Sequence, residues 1–195
     1  AIDTLSNIAS VEYQVGTGSW RVWVAADPVD GAFDSPSESY TFTIPALADG
    51  GYTVYVRATD AASNTTAEVD HANDSFTIDT VAPTVVSRVP ASGATGVAVD
   101  AVVTATFSEA MDESTVTTGS FTIAGVSGSV SYNSGSYTAT FTPAADLAYD
   151  TTYTASLSTA ITDLAGNPMD EVYTWSFTTG SPPGVVTVSI DAPAR

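Results

Sequence analysis

The residues best suited to chemistry in this chain are carboxylates and amides in two short Asp-x-x-x-Asn segments. Asp60 and Asn64 bound the first segment, and Asp163 and Asn167 bound the second. Their side chains offer hard oxygen atoms, which Ca²⁺ collects in sets of about six to eight from carboxylates, carbonyls and water. Asp79, at the end of a predicted strand, adds a further carboxylate. These five residues are the candidate metal ligands.

The same residue types also build turns without any ion. Asp and Asn side chains accept hydrogen bonds from nearby backbone N–H groups and so form Asx-turns, and a carboxylate such as Asp79 can simply end a strand. The sequence contains no complete EF-hand loop. Calcium binding and turn formation therefore both stand as interpretations of these residues.

Residues that could catalyse a reaction are sparse. His71 is the single histidine and stands in an acidic loop, and the chain has neither a cysteine nor a Gly-x-Ser-x-Gly elbow. Glu109, Asp112 and Glu113 invite comparison with the carboxylate pair of a glycosidase, but all three fall on one predicted surface turn without a flanking cleft. Capping that turn is the simpler role. The sequence predicts a protein that is not an enzyme.

Charge and composition exclude several partners. The 195 residues include 22 acidic residues, four arginines and no lysine, which gives a formal net charge of −18. Without a basic patch, nucleic acid is excluded as a partner and anionic membrane surfaces are disfavoured. No apolar run approaches the roughly 20 residues of a membrane-spanning helix, so we expect no membrane insertion. Such acidity favours solubility, and divalent cations can neutralise part of it.

The hydrophobic pattern predicts an all-β chain, because apolar and polar residues alternate with period two and no long stretch has helical period. Strands are predicted at residues 8–15, 19–24, 40–44, 52–58 and from 76, then at 84–89, 101–107, 121–123, 128–132, 137–141, 153–157 and 172–178. One helical turn is predicted over residues 110–116, with Ser108 as its cap. The predicted core residues are Val54, Val56, Phe42 and Phe76 in the first half and Phe107, Phe141, Trp175 and Phe177 in the second.

A domain boundary is predicted beside Pro83. Proline lacks a backbone donor and biases Ala82 toward extended geometry, so a strand ends there, and a new apolar run begins at Thr84. One domain is therefore expected at residues 1–82 and a second at 83–180. Residues 181–195 form a linker plus a strand.

Two internal echoes favour a tandem arrangement of one sandwich type. Segments 47–53 and 147–154 each place a turn before a strand that opens on a tyrosine, Tyr52 or Tyr153. This resembles the tyrosine corner of immunoglobulin-like sandwiches, in which the phenol bonds a backbone group upstream. The two Asp-x-x-x-Asn segments form the second echo, since each follows the penultimate strand of its half.

The second half resembles a bacterial Ig-like domain, a family found in S-layer proteins, adhesins and multidomain secreted enzymes. Five blocks in order carry the resemblance, at residues 89–97, 105–112, 141–143, 163–168 and 173–179. Residues 8–82 resemble a related bacterial Ig-like type, but the opening strands expected before Ile8 are missing. The resemblance implies two immunoglobulin-like β-sandwiches in series, rod-like, in an extracellular or cell-surface protein of bacterial type.

The resemblance also implies where Ca²⁺ would be held. Acidic residues at the joints of tandem bacterial Ig-like proteins often hold this ion, which here indicates Asp60, Asn64 and Asp79, with Asp163 and Asn167 as the equivalent pair at the far pole.

The function implied is a non-catalytic extracellular structural module, either a spacer or a filament subunit. One alternative is an adhesin module that binds carbohydrate or protein through exposed aromatic residues, with Trp20 or Trp23, Phe33 and Tyr132 as candidates. Another is a set of accessory domains from a secreted enzyme. An aromatic patch on one sheet face would favour the binding module.

The tail contains a strand that belongs to neither domain. Val186, Val188 and Ile190 alternate with polar residues, and, read on into residues 1–13, the tail resembles the missing beginning of a bacterial Ig-like domain. We expect this strand to pair with the first domain of another copy, head to tail, or with an adjacent Ig-like domain of a longer chain. A frayed tail is the alternative. The assembly strand consists of Val185, Val186, Thr187, Val188, Ser189, Ile190 and Asp191.

Overall fold

A computed structural model describes residues 6–17, 22–66 and 72–184 of the chain. The chain divides into two compact units, with the division between Thr80 and Val81. Strands dominate both units, which confirms the all-β class. Trp20, His71 and the assembly strand at residues 185–191 lie outside the described residues.

Unit 1 contains a four-stranded antiparallel sheet and a separate two-stranded ladder. The strands in chain order are β1 (Ile8–Gly16), β2 (Val24–Ala25), β3 (Asp27–Pro28), β4 (Tyr40–Thr41), β5 (Gly50–Asp60) and β6 (Ala72–Ile78). The sheet has the order β2-β1-β5-β6, and β3 pairs with β4.

The core of unit 1 lies on one face of this sheet. Val11 and Tyr13 alternate with polar neighbours along β1 and are buried. The ring of Tyr13 stacks on Phe42 with centroids 4.1 Å apart, and its hydroxyl donates to the carbonyl of Thr43 at 3.0 Å. Of the residues predicted for this core, Val54, Val56 and Phe42 pack against it and are half-buried. The fourth, Phe76, stacks on Tyr52, with ring centroids 5.7 Å apart.

The described residues of unit 2 form two four-stranded sheets. Its strands are β7 (Val85–Val89), β8 (Ala94–Val97), β9 (Val103–Phe107), β10 (Phe121–Ile123), β11 (Gly128–Asn133), β12 (Thr138–Pro143), β13 (Thr152–Leu157) and β14 (Tyr173–Thr179). The sheet orders are β10-β13-β14-β8 and β11-β12-β9-β7. The pairing of β8 with β14 is parallel, whereas the other strand pairs of these sheets are antiparallel.

The core of unit 2 is apolar and closed. The residues predicted for it are all at most 3% exposed, namely Phe107, Phe141, Trp175 and Phe177. Phe121 lies among them, with its ring centroid 5.8 Å from that of Phe141 and 6.0 Å from that of Trp175. Strict alternation on β9, β13 and β14 brings these side chains inward, as the period-two pattern predicts.

The predicted helical turn is wrong in its extent and in Ser108 as its cap, whereas the capping role predicted for the nearby carboxylates is confirmed for Asp112. A single 3-10 turn spans Glu113–Thr115, and Asp112 caps it by accepting a hydrogen bond from the backbone N–H of Ser114 at 2.9 Å. A carboxylate at this position satisfies an N–H that the short turn leaves without a partner. Ser108 instead accepts a hydrogen bond from the backbone N–H of Thr84 at 3.0 Å.

Some strand predictions also need correction. The strand predicted at residues 40–44 is limited to β4, because the carbonyl of Thr43 accepts from the hydroxyl of Tyr13 and Pro45 lacks a donor. Strand β8 was not predicted at all, since its Ala-Thr-Gly-Val sequence lacks alternation. The strand conformation of β8 is stabilised by its parallel pairing with β14 rather than by its own residues.

Candidate functional site

The two Asp-x-x-x-Asn segments fold into the same closed loop. The carboxylate of Asp60 accepts from the backbone N–H and from the side-chain amide of Asn64, both at 2.7 Å. The carboxylate of Asp163 accepts from the corresponding groups of Asn167 at 2.9 and 2.8 Å. In both loops the backbone N–H of the aspartate donates back to the carbonyl of the asparagine, at 2.9 and 3.1 Å.

The flanks of the two loops match as well. Antiparallel bridges join Thr59 to Thr65 in unit 1 and Thr162 to Pro168 in unit 2. Each loop is therefore the tip of a short hairpin that a side-chain clamp closes. The sequence echo corresponds to a real structural repeat between the two units.

The two aspartates differ in their surroundings. Asp163 is only 2% exposed, and its carboxylate also accepts from the backbone N–H of Ala165 at 2.8 Å. Asp60 lies in a more open loop. There the hydrogen bonds from Asn64, first the side-chain amide and then the backbone N–H, hold the pKa of Asp60 below its ordinary value of 3.8, against a smaller opposing effect of desolvation.

Loop closure engages the oxygens that sequence reasoning assigned to a metal. Both oxygens of Asp60 and of Asp163 accept hydrogen bonds within their own loops, which is the geometry of the turn interpretation. An ionised carboxylate has about four lone-pair directions, so these bonds leave room for further ligands. Asp79 follows directly after β6 and belongs to neither loop.

Sequence reasoning missed one neighbour of the second loop. Carboxylate oxygens of Glu109 and Asp163 lie within 4.8 Å of each other. The bridge between Met111 and Asp163 brings these segments together. In the sequence, Glu109 suggests only a catalytic or capping carboxylate beside the predicted turn, and no pattern links it to Asp163.

Both tyrosine corners are present. The hydroxyl of Tyr52 donates to the carbonyl of Ala48 at 2.9 Å, and the hydroxyl of Tyr153 accepts from the backbone N–H of Ala148, also at 2.9 Å. Each phenol thus fixes the turn that precedes its strand. These are the backbone bonds that the sequence predicted.

The aromatic residues proposed for ligand binding separate into two groups. Phe33 packs against the core of unit 1 and Tyr132 against that of unit 2, where its hydroxyl accepts from the backbone N–H of Met111 at 2.8 Å. Trp23 lies beside the outer face of the unit 1 sheet, where the guanidinium of Arg57 stands 4.3 Å from its ring centroid. Glu12 holds Arg57 through Nε and Nη2, both at 2.8 Å.

A comparison with protein families decides the class of the chain. The family described as bacterial Ig-like domain matches residues 79–179, just over half of the sequence. The chain belongs to the bacterial Ig-like domain family. Membership confirms the resemblance carried by the five sequence blocks and the immunoglobulin-like sandwich fold, and it supports a non-catalytic structural module of a bacterial surface.

Solved S-layer structures are similar to this bacterial Ig-like chain over 52% of its length. The S-layer protein rSbsC(31-844) is 26% identical with a TM-score of 0.39, and the match covers 14% of that chain. The N-terminal part of the bacterial S-layer protein SbsC is 27% identical with a TM-score of 0.41 and 24% coverage. The matches thus span about a quarter or less of those proteins. No curated protein sequence matches the chain.

Among the described residues, no helix is long and apolar enough to span a membrane.

Proposed function

We propose that the chain is a non-catalytic structural module of a bacterial surface protein that transmits tension along the chain. One observation carries this proposal, namely the parallel pairing of β8, near the start of unit 2, with β14, at its end. Ala94 lies opposite Phe177 and Val97 opposite Thr179. Family membership makes a structural role the natural one for this geometry.

The direction of this pairing determines its response to force. A pull on the chain before unit 2 first loads β7 and, once β7 has separated from β9, draws β8 toward its own start. A pull beyond unit 2 draws β14 toward its own end. Because the strands are parallel, these forces oppose each other along the strand axes and load the interstrand bonds together. The bonds at the two ends are Gly93 N–H to the Ser176 carbonyl at 2.7 Å and Gly180 N–H to the Val97 carbonyl at 2.8 Å.

Packing and side-chain bonds anchor the strand pair at its exit. Trp175 and Phe177 bury β14 in the core of unit 2. The hydroxyl of Thr179 donates to the carbonyl of Ala148 at 2.6 Å, and the backbone N–H of Leu147 donates to the carbonyl of Val99 at 2.7 Å. Sliding β14 past β8 therefore requires breaking core contacts as well as ladder bonds.

Single-molecule force spectroscopy on the full chain tests this proposal. We expect one unfolding event of unit 2 at a force that Gly180→Pro lowers, because proline removes the N–H that bonds Val97. Gly184→Pro, beyond the last strand, is the matched control and leaves the force unchanged. Circular dichroism verifies that each variant is folded. Equal forces for a folded Gly180→Pro variant and the parent chain contradict the proposal that the β8–β14 pair bears the tension.

Calcium remains part of this proposal. An ion held by Asp60, Asn64 and Asp79, or by Asp163 and Asn167 with the neighbouring Glu109, would stiffen the hairpin tips of a module under tension. The closed loops support it by fixing the carboxylates in place, and the thermal measurement described in the Discussion tests it.

A second candidate function is carbohydrate binding on the outer face of the unit 1 sheet. The stacking of Trp23 with Arg57 and the bond of Arg57 to Glu12 favour it, since aromatic rings and fixed polar groups recognise sugars. A glycan array probed with the full chain tests this function. We expect Trp23→Ala to abolish any signal that Val22→Ala, at an exposed neighbour, retains. An array without signal for the parent chain excludes the candidate for the glycans tested.

A further inference from the structure

Unit 1 repeats the last strand pair of unit 2. Strands β5 and β6 match β13 and β14, because equivalent residues face each other and make equivalent contacts. The matched pairs are Tyr52–Phe76 and Tyr153–Phe177, with ring centroids 5.7 and 6.0 Å apart, and Thr53–Ser75 and Thr154–Ser176, with hydroxyl oxygens 3.1 and 2.9 Å apart.

The outer neighbour of this pair differs between the units. Strand β14 lies between β13 and β8, whereas β6 is the edge of its sheet and pairs with β5 alone among the described residues. In unit 2 the carbonyl of Ser176 accepts from Gly93, next to β8. Its equivalent in unit 1, Ser75, is exposed on the edge strand.

The backbone of Ser75 is directed toward the open edge. Its N–H donates to the carboxylate of the adjacent Asp74 at 2.8 Å rather than to β5. In a strand, the N–H and C=O groups of one residue point to the same side, so the carbonyl of Ser75 also points away from β5. Asp74 thus occupies a backbone donor that an added strand would use, and a charge at such a position protects an edge from unwanted pairing.

The inner face beside this edge is also less covered than in unit 2. Asp74 stands opposite Val54 at the place where Trp175 stands opposite Ala155. Trp175 and Ala155 are buried, whereas Asp74 is exposed and Val54 only half-buried. Among the described residues, unit 1 therefore presents an open backbone edge next to an incompletely covered apolar face.

We propose that β6 accepts a parallel strand from residues 185–191 of a second copy of the chain, in the position that β8 occupies against β14. This inference deepens the proposed structural function, on which it rests, by naming the partner. Eleven residues follow Gly184, the last that the structure describes, and they include the alternating Val186, Val188 and Ile190. Seven residues match the seven of β6, and Asp191 is the one charged residue among them.

Apolar alternation suits the acceptor. One face of the donor strand would cover the half-buried Val54 and Phe76, and its hydroxyl-bearing face would remain in water. Six uncharged residues in succession allow the segment to approach a chain whose net charge is −18. Main-chain bonds to Ser75 would supply the register.

The test combines light scattering on the full chain with peptide binding. We expect the molecular mass of the full chain to rise with concentration. The variant without residues 185–195 should keep the mass of a monomer at all concentrations. The deletion variant should bind a labelled peptide of residues 185–195 saturably, and a peptide with Val186, Val188 and Ile190 replaced by serine is the control. Hydrogen exchange should show new protection in β6 of the complex.

Two edge variants assign the site. Ser75→Pro removes an N–H that does not bond β5, so it should leave unit 1 folded yet reduce peptide binding at least tenfold. Asp74→Ala frees that N–H and should tighten binding. Unaltered binding by a folded Ser75→Pro variant overturns the assignment, as does a concentration-independent monomer in which the tail protects β6 of its own chain. The unfolding force of unit 2 does not depend on either result. If strand addition to β6 fails, the tension-bearing role of the β8–β14 pair is therefore still tested separately.

Discussion

Ser63 and Gly166 occupy the same fourth position of the two closed loops, and both have a positive φ, 70° and 92° respectively. The hairpin tip demands this left-handed conformation, which glycine adopts freely and a serine adopts at a cost of about 1–2 kcal/mol. The second loop therefore has a glycine at the position with positive φ, whereas the first loop has a serine there.

Ser63→Gly should stabilise unit 1 by about 1 kcal/mol, because it relieves the left-handed strain, although extra freedom in the unfolded chain offsets part of the gain. Urea unfolding measures the change in the free energy of unfolding, and hydrogen exchange at the loop shows whether the change is local. Ser63→Ala retains the strain and serves as the control. A loss of stability in Ser63→Gly would show that the serine side chain matters more than its φ.

Trp175→Ala should destabilise unit 2 by about 3–5 kcal/mol, since it removes the large side chain that contacts Phe121 in the closed core. The indole N–H is buried and has no hydrogen-bond partner among the described residues. Trp175→Phe should consequently cost much less than the alanine variant. Thr174→Ala, at an exposed neighbour, is the control, and equal melting temperatures for the three variants contradict this account.

Acid should weaken the first loop at a pH set by Asp60. Because the pKa of its carboxyl is lower in the folded state than the ordinary 3.8, the ionised group stabilises the fold above the unfolded pKa, and this contribution is lost as the pH falls through the folded pKa. The window therefore lies below about pH 4. Carbon-detected NMR titration should give Asp60 a midpoint below 3.8, whereas a midpoint at or above that value refutes the hydrogen-bond argument.

Millimolar Ca²⁺ should raise the melting temperature relative to excess chelator if the loop carboxylates bind the ion. At a hundredfold excess over the dissociation constant, binding adds about 2.7 kcal/mol to the free energy of unfolding. Glu109→Gln should reduce the rise, because it neutralises the neighbour of Asp163. Glu113→Gln, in the adjacent exposed turn, should retain it. An identical melting temperature with ion and chelator excludes a structural calcium site under those conditions.

Local patterns predicted most of unit 2. The alternation around Phe121 to Ile123 gave a strand with the bounds that the structure shows, and the same pattern identified Trp175 and Phe177 as core residues. These predictions succeed because a buried sheet face leaves a period of two in the sequence. The similarity between the two Asp-x-x-x-Asn segments also corresponds to a similarity in structure. The same pair of Asp and Asn hydrogen bonds needs the same two residue types at the same spacing.

What the sequence could not predict depends on contacts between distant segments. Strand β8 exists through its pairing with β14, about 80 residues away, and its glycine interrupts any alternation. Glu109 approaches Asp163 through the bridge at Met111, which no local pattern indicates. The open edge at Ser75 likewise follows from the absence of a neighbouring strand among the described residues rather than from the residue itself.

The clamp between Asp163 and Asn167 also bears on chemical ageing. Asparagine in a surface loop is perishable, because the backbone nitrogen of the following residue can attack the side-chain amide and convert it to a carboxyl group. Here the following residue is Pro168, whose nitrogen carries no hydrogen, whereas the hydrogen bond from the asparagine amide to the aspartate is common to both loops. The second loop is thus built to outlast the first, in which Thr65 follows Asn64 with an ordinary backbone N–H.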